Sequence, residues 1–375
     1  MPSLTSHAPG PAAAGDGAPA TAPARPGRDP FFDNAKYLAI VLVAVGHSWE
    51  PLPGSGRLVE TLYTFVYTFH MPVFIIIAGY FSRGLDLRSR RVWKLVTSLV
   101  VPYAVFEIAY TLFERLTGTP DFSLSPLTPY WLLWFLPALF LWRLTTPFWE
   151  TVRWPVAVAL VIAAMGAVSS NIGGDLHLQR VLQFLPYYVL GLQLRPAHFD
   201  LVRRRTVRLA SVPVCLVALA AAYWAVPRTT TSWFFRRYGA EQLGSPAWTG
   251  AVVTLLLFSC ALVLSACFLA WVPNRRLWMT ALGAGTLYGY LLHGFVVKAG
   301  DYQGWFEAAW LHRPEGVAFV SVVAAVGVTL LCTAPVRRVF RFAMEPKMAW
   351  AFKGSKDTRS SKAGTARRQH GGRAE

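Results

Sequence analysis

The sequence predicts an all-α fold: a polytopic integral membrane helix bundle of about ten transmembrane helices, with both termini cytoplasmic. Three observations carry the prediction. Hydrophobic residues make up 54% of the 375 positions and charged residues only 15%, against about a quarter charged in soluble domains. The charges gather in short runs between apolar stretches, several of which approach or exceed the ~20 residues that cross a bilayer. The lysines and arginines alternate between rich and poor loops, the pattern of a multi-pass chain under the positive-inside rule. The 26 prolines and 29 glycines fit this class, because neighbouring helices satisfy the backbone groups that a broken helix frees.

Taken in order, residues 1–28 are rich in Pro, Ala and Gly and lack a basic segment followed by an apolar core, which predicts a disordered tail rather than a signal peptide. Residues 29–345 form one transmembrane domain, with spans at roughly 35–50, 60–82, 95–115, 130–147, 154–169, 180–195, 207–226, 249–271, 278–298 and 317–337. The fifth and sixth are short and interrupted. Residues 346–375 are polar and basic and predict a second disordered tail, either solvated or lying on anionic headgroups. Basic residues follow every second span: Arg83, Arg88, Arg90, Arg91 and Lys94, then Arg143 and Arg153, then Arg195 and Arg203–Arg205, then Arg275 and Arg276, then Arg337, Arg338 and Arg341. That side is assigned to the cytoplasm, which makes the protein a multi-pass plasma-membrane chain in contact with the lipid bilayer throughout. The loop at about 227–248 then lies outside and contains Trp233, Phe234, Phe235, Arg236, Arg237 and Tyr238. Two readings of it are open: a platform for a sugar, or an interfacial aromatic belt.

A net charge of +17 in a soluble protein would point to nucleic acid, but here membrane topology accounts for it and no nucleic-acid partner is predicted. The four cysteines, Cys215, Cys260, Cys267 and Cys332, lie in apolar stretches without metal-ligand spacing, so no metal site is predicted. The chain has no Walker motif, no G-x-S-x-G elbow and no H-E-x-x-H site.

Ionisable side chains inside a spanning helix cost ~2.5–3.5 kcal/mol on insertion scales, which makes them functional candidates. Lys36 and His47 are eleven residues apart on the first span. At ~100° per residue that spacing puts them on one helix face, ~16 Å apart, with Lys36 at the cytoplasmic end and His47 deep in the membrane. Such a pair suits a path with an anionic cofactor anchored at its mouth and a base at its end; the alternative is a snorkelling lysine and a histidine bonded to a neighbouring helix. Asp33 either caps the helix or pairs with Lys36, and Glu50 closes the same span. In the second span Pro72 cannot donate to the carbonyl four residues earlier, which predicts a bend beside His70, with either a cavity or a bonded histidine there. Arg88 and Arg91 form an R-x-x-R pair on one face if that loop is helical; arginine forks match phosphate oxygens, though basic cytoplasmic loops contain many such pairs. On the ninth span Tyr290 and His293 share a face, explained by packing as readily as by chemistry. A polytopic transporter or flippase of a sugar- or lipid-linked metabolite is the main alternative to an enzyme, although no repeated halves with paired broken helices are visible.

Together these residues resemble the membrane-bound acyltransferase-3 family, in particular its branch similar to fucose 4-O-acetylases. The resemblance rests on a basic residue, ten residues and a histidine in FFDNAKYLAIVLVAVGHSWE, on FHMPVFIIIAGYFSR at 69–83, on the R-x-x-R at Arg88–Arg91, and on LWFLPAL (133–139) and LYGYLLH (287–293). It covers about residues 29–345. It implies transfer of an acyl group, usually acetyl, from cytoplasmic acetyl-CoA or another acyl-CoA to a hydroxyl of a carbohydrate or glycosylated acceptor at the outer face. It also implies that His47 is catalytic, as a general base or a transient acyl carrier. Lys36, Arg88 and Arg91 would then face the CoA phosphates, and Asp33, Glu50, His70, Tyr290 and His293 are possible pocket residues. Thr286 stands where relatives often have serine. No soluble domain follows the last span, so the acyl group is expected to pass directly to its acceptor.

Overall fold

The computed structural model describes residues 29–85 and 89–346, and every regular element among them is helical. The two predicted tails lie outside the described residues, except for Pro346. Asp29 starts the first helix, α1 (Pro30–Trp49): its carboxylate accepts the Phe31 N–H at 2.9 Å, and Pro30 occupies the first helical position, where no backbone donor is needed. This frees Asp33 from capping, and it pairs with Lys36 at 2.8 Å. The other long elements are α2 (Arg57–Tyr80), α3 (Val92–Thr117), α4 (Trp131–Leu144), α5 (Pro155–Val168), α6 (Leu178–Gln193), α7 (Arg205–Ala225), α8 (Ala247–Trp271), α9 (Thr286–Tyr302), α10 (Pro314–Leu331) and α11 (Ala334–Met344).

Five of these helices, α2, α3, α7, α8 and α10, are long and apolar enough to cross a bilayer. α4 and α5 are apolar but shorter. The outer helices present apolar side chains outward: only 6% of the apolar window of α7 is buried, and Leu209, Val212, Leu216 and Val217 are exposed along it. α10 does the same with Val322, Val323, Val326 and Leu330. Such faces suit lipid contact and would be costly in water. By contrast α2 is the hub, packed against α1, α6, α7 and α8.

Small residues set the tightest crossing, where α2 meets α6. A Cβ on Gly79 would lie 2.2 Å from the Tyr188 carbonyl oxygen, and one on Gly191 would lie 2.3 Å from that of Ile76. Backbones this close leave no room for a side chain. Gly79→Val is therefore expected to destabilise the bundle by at least ~1–3 kcal/mol, the usual cost of overpacking. Thermal unfolding in detergent checks this; an unchanged midpoint would show that the crossing is not fixed.

Several boundaries differ from the sequence reading. In α3 the Val101 N–H bonds the Val96 carbonyl across a π-helical turn (Val96–Val100), placed immediately before Pro102, which has no N–H to continue the regular ladder. α2 stays helical through Pro72, in keeping with the single span read over 60–82. The ninth span, expected from 278, starts only at Thr286, because Trp278–Ala284 forms a 3-10 segment held by side-chain bonds. There Thr280 Oγ1 accepts the Leu277 N–H at 2.8 Å and donates to Asn34 Oδ1 at 2.7 Å, while Asn34 Nδ2 donates to the carbonyls of Pro273 and Arg275. The tenth stops at Leu331, and α11 begins separately with Pro335 in its first turn.

The bundle has two distinct ends. Where α1 begins, Phe32 packs on Tyr80 and Phe199, and Arg83 donates to the Leu194 carbonyl at 2.6 Å. Where α1 finishes, Trp49 donates to Ser321 at 2.8 Å and Arg57 reaches the Tyr223 carbonyl.

Candidate active site

The last turn of α1 carries His47, seventeen residues beyond Pro30 and therefore ~26 Å along the axis, at the far end of the bundle rather than midway. Past the helix end Glu50 keeps right-handed backbone, so its carboxylate folds back and Oε1 lies 3.0 Å from His47 Nδ1. α2 supplies a stripe of three residues, Tyr63, Tyr67 and His70, spaced four and three apart and so on one face. Tyr67 donates its hydroxyl to Glu50 Oε1, with the same oxygen 3.1 Å from His47 Nδ1. Tyr63 donates to Glu50 Oε1 at 3.2 Å, and its ring stacks on Tyr67 at 4.0 Å. Trp131 opens α4 with φ of 33°, a left-handed backbone uncommon outside glycine. Its indole N–H donates to Glu50 Oε2 at 3.1 Å, and its ring meets the His47 ring edge-on at 4.7 Å.

The carboxylate of Glu50 thus has three donors besides the histidine. A carboxylate only accepts, so His47 Nδ1 serves as the donor and its Nε2 keeps a lone pair. Among the described residues that Nε2 has no hydrogen-bond partner. His47 is only 13% exposed. Two further histidines are oriented by their own helices: His70 Nδ1–H donates to the Val66 carbonyl and His293 Nδ1–H to the Gly289 carbonyl, both at 2.9 Å. The His293 ring lies 5.4 Å from that of His47, and its buried Nε2 has no partner among the described residues.

His47, Glu50, Tyr67, His70 and Trp131 border a cavity of about 250 Å³. His47, Glu50, His70 and Tyr290 line it together, as do Arg180 and Arg237. The Tyr290 hydroxyl donates to the Leu132 carbonyl, which pins α9 to α4 beside the cavity. The loop between α7 and α8 supplies one wall through Ser232, Phe234, Phe235 and Tyr238. Arg180 Nε donates to the Phe235 carbonyl at 3.0 Å, and buried Arg236 donates to the Tyr187 hydroxyl at 3.0 Å. Phe234, Phe235, Arg237 and Tyr238 of this loop therefore fold onto the site, whereas a belt would spread them along the surface.

Lys36 does not line the cavity; paired with Asp33, it lies about three turns below His47. Arg88 lies outside the described residues, and Arg91 is described only as helical backbone within Ser89–Leu95. His293 contacts His47 from behind and also lines a separate apolar cavity of about 510 Å³ between α9 and α10. Tyr63, Tyr67, Trp131 and Arg180 are site residues that the sequence alone does not single out. One signal was present: Tyr63, Tyr67 and His70 recur at helical spacing toward a polar residue of the preceding span, and Arg180 leads Phe184 and Tyr187 at four and seven.

An imidazole oriented by a carboxylate, with its second nitrogen free in a recessed cavity, is equipped to take a proton from a hydroxyl or to bear an acyl group. The fold and site are those of a helical membrane protein with a recessed imidazole suited to group transfer. Residues 29–337 match the Acyl_transf_3 family, described as an acyltransferase domain, and the chain belongs to that family. Among characterised proteins it is similar to nodulation protein NolL of Sinorhizobium fredii (strain NBRC 101917 / NGR234), 26% identical over 334 residues that cover 81% of this chain and 86% of the relative. It is also similar to nodulation protein NolL of Mesorhizobium japonicum (strain LMG 29417 / CECT 9101 / MAFF 303099), 29% identical over 182 residues that cover 44% of this chain and 47% of that relative. No solved structure matches the chain.

Proposed function

We propose that the protein is an acyl-CoA-dependent O-acyltransferase of the plasma membrane. It would move an acyl group, acetyl in the first instance, from cytoplasmic acetyl-CoA to a hydroxyl of a carbohydrate or glycosylated acceptor at the outer face. The observation that carries this reading is the His47–Glu50 pair, with a free Nε2 in a cavity at the opposite end of the bundle from Lys36. All ten helices from α1 to α10 are taken as spans, five of them long and apolar enough to cross a bilayer on their own. With that even number both termini are cytoplasmic, on the arginine-rich side. Lys36, Arg88 and Arg91 are assigned to the CoA phosphates at the cytoplasmic mouth.

In the direct route His47 Nε2 accepts the acceptor hydroxyl proton as that oxygen attacks the thioester carbonyl. The carbon–sulfur bond breaks, and the imidazolium returns its proton to the departing CoA thiolate. In the two-step route Nε2 attacks the thioester carbonyl, the carbon–sulfur bond breaks and CoA thiolate leaves; the acceptor hydroxyl then attacks the acyl-imidazole, the carbon–nitrogen bond breaks, and the hydroxyl proton goes to the thiolate. Glu50 stabilises the imidazolium in the first route and fixes the reactive nitrogen in both.

The test is donor turnover by the purified full chain in detergent, followed as free CoA thiol released from acetyl-CoA with glycan extracts as acceptor. Acceptor-dependent thiol release together with an acetyl mass gained by a glycan is the expected result. Absence of thiol release with every extract and acyl-CoA tried would sink the reading.

A further inference from the structure

The cavity holds a positive excess that acyl transfer to a neutral hydroxyl does not require. Its charged lining groups outside His47 are Glu50, Arg180 and Arg237. Glu50 is occupied by His47, Tyr63, Tyr67 and Trp131. Among the described residues, no carboxylate lies within ion-pair distance of Arg180 or Arg237. Arg180 is half-buried, with its guanidinium 5.0 Å from the Trp134 ring centroid; its hydrogen bond to Phe235 uses Nε, and among the described residues the two terminal nitrogens make none. Arg237 is exposed and makes no hydrogen bond among the described residues. Both guanidinium groups act on one neighbour: His177, in the turn before α6, has its pKa pushed down to about 3 by burial and then by Arg180 and Arg237. Glu50 lies within electrostatic reach of Arg180, but its oxygens are taken by other donors, and a half-buried arginine at a helix end that lacks a directly bonded anion gains from binding one.

We propose that Arg180 and Arg237 form an anion subsite in the His47 cavity, which takes a phosphoryl or carboxylate group carried by the acceptor. The guanidinium fork matches either oxyanion bidentately, and the short reach across a 250 Å³ cavity places the hydroxyl of such an acceptor at His47. The subsite is read from charge alone; that the anion belongs to an acceptor rests on the acyl-transfer reading.

The test is calorimetric titration of the purified full chain at constant ionic strength, using sodium pyrophosphate, glucuronate, neutral glucose and CoA as probes. Pyrophosphate or glucuronate should bind saturably and at least tenfold more tightly than glucose. Arg180→Gln and Arg237→Gln should each weaken that binding at least tenfold, and Arg180→Lys should restore part of it. Arg180→Gln also removes the bond to Phe235, whereas Arg237→Gln removes no structural bond and gives the cleaner comparison. Equal anion binding by wild type and Arg237→Gln, or no anion binding by wild type, would overturn the proposal. So would a loss for CoA equal to that for pyrophosphate, since the arginines would then serve the donor. The acyl-transfer reading fails separately: arginine-dependent anion binding without thiol release from acetyl-CoA would leave the subsite and remove the assigned chemistry.

Discussion

Replacing His47 with alanine is expected to lower acyl transfer by ~10²–10⁴-fold, the range that one positioned general acid–base group supplies. The loss should fall in kcat, because the imidazole acts on the proton that moves in the transition state rather than on ground-state binding. The fold should survive. Glu50 keeps its bonds from Tyr63, Tyr67 and Trp131 after the substitution, so no carboxylate is left bare. His293 does not replace the missing ring, since it does not line the cavity and its Nδ1 is bonded to the Gly289 carbonyl rather than to a carboxylate. Steady-state thiol release from acetyl-CoA, beside a thermal melt of the same preparation, separates chemistry from folding. Wild-type turnover in the variant would remove His47 from the mechanism.

How much of this site the sequence reveals depends on the physical signal each residue leaves. His47 and Glu50 are conspicuous because polar groups stand out in an apolar span, and the all-helical class follows from the same contrast. Tyr67 and Trp131 leave no such signal. Aromatic residues near span ends are expected at a membrane interface whether or not they bind a carboxylate. Their roles appear only when α1, α2 and α4 pack together, since Trp131 reaches Glu50 across 81 positions. Arg180 is hidden for a different reason: in the first turn of a short, interrupted helix it looks like a loop charge. The loop between α7 and α8 was legible as aromatic and basic, and its fold onto the cavity is set by Arg180 and Arg236 bonds to distant groups. The ninth helix begins later than hydropathy suggests because a window average does not register the Thr280–Asn34 bond that holds the 3-10 turn.

Glu50→Gln carries the second large effect, an expected fall in kcat of ~10²-fold or more with little change in KM. Glutamine has the same size, but its one carbonyl oxygen takes either the Oε1 place, accepting from Tyr63, or the Oε2 place, accepting from Trp131. Its amide group, however, presents a donor that a carboxylate lacks. If the amide nitrogen turns toward His47, Nδ1 must accept, the ring proton moves to Nε2, and the lone pair that faces the cavity is lost. If the carbonyl oxygen turns toward His47 instead, Nδ1–H is kept, but the amide nitrogen then meets the Trp131 N–H, and the imidazolium loses its negative partner in either orientation. Both outcomes weaken the step in which Nε2 takes the proton. Tyr67→Phe leaves the carboxylate in place and should cost far less, because it removes one donor among several. Comparing kcat for the two variants under saturating acetyl-CoA therefore tests charge against hydrogen bonding: a Glu50→Gln enzyme as fast as Tyr67→Phe would mean that the carboxylate only holds the ring and does not stabilise its charged form.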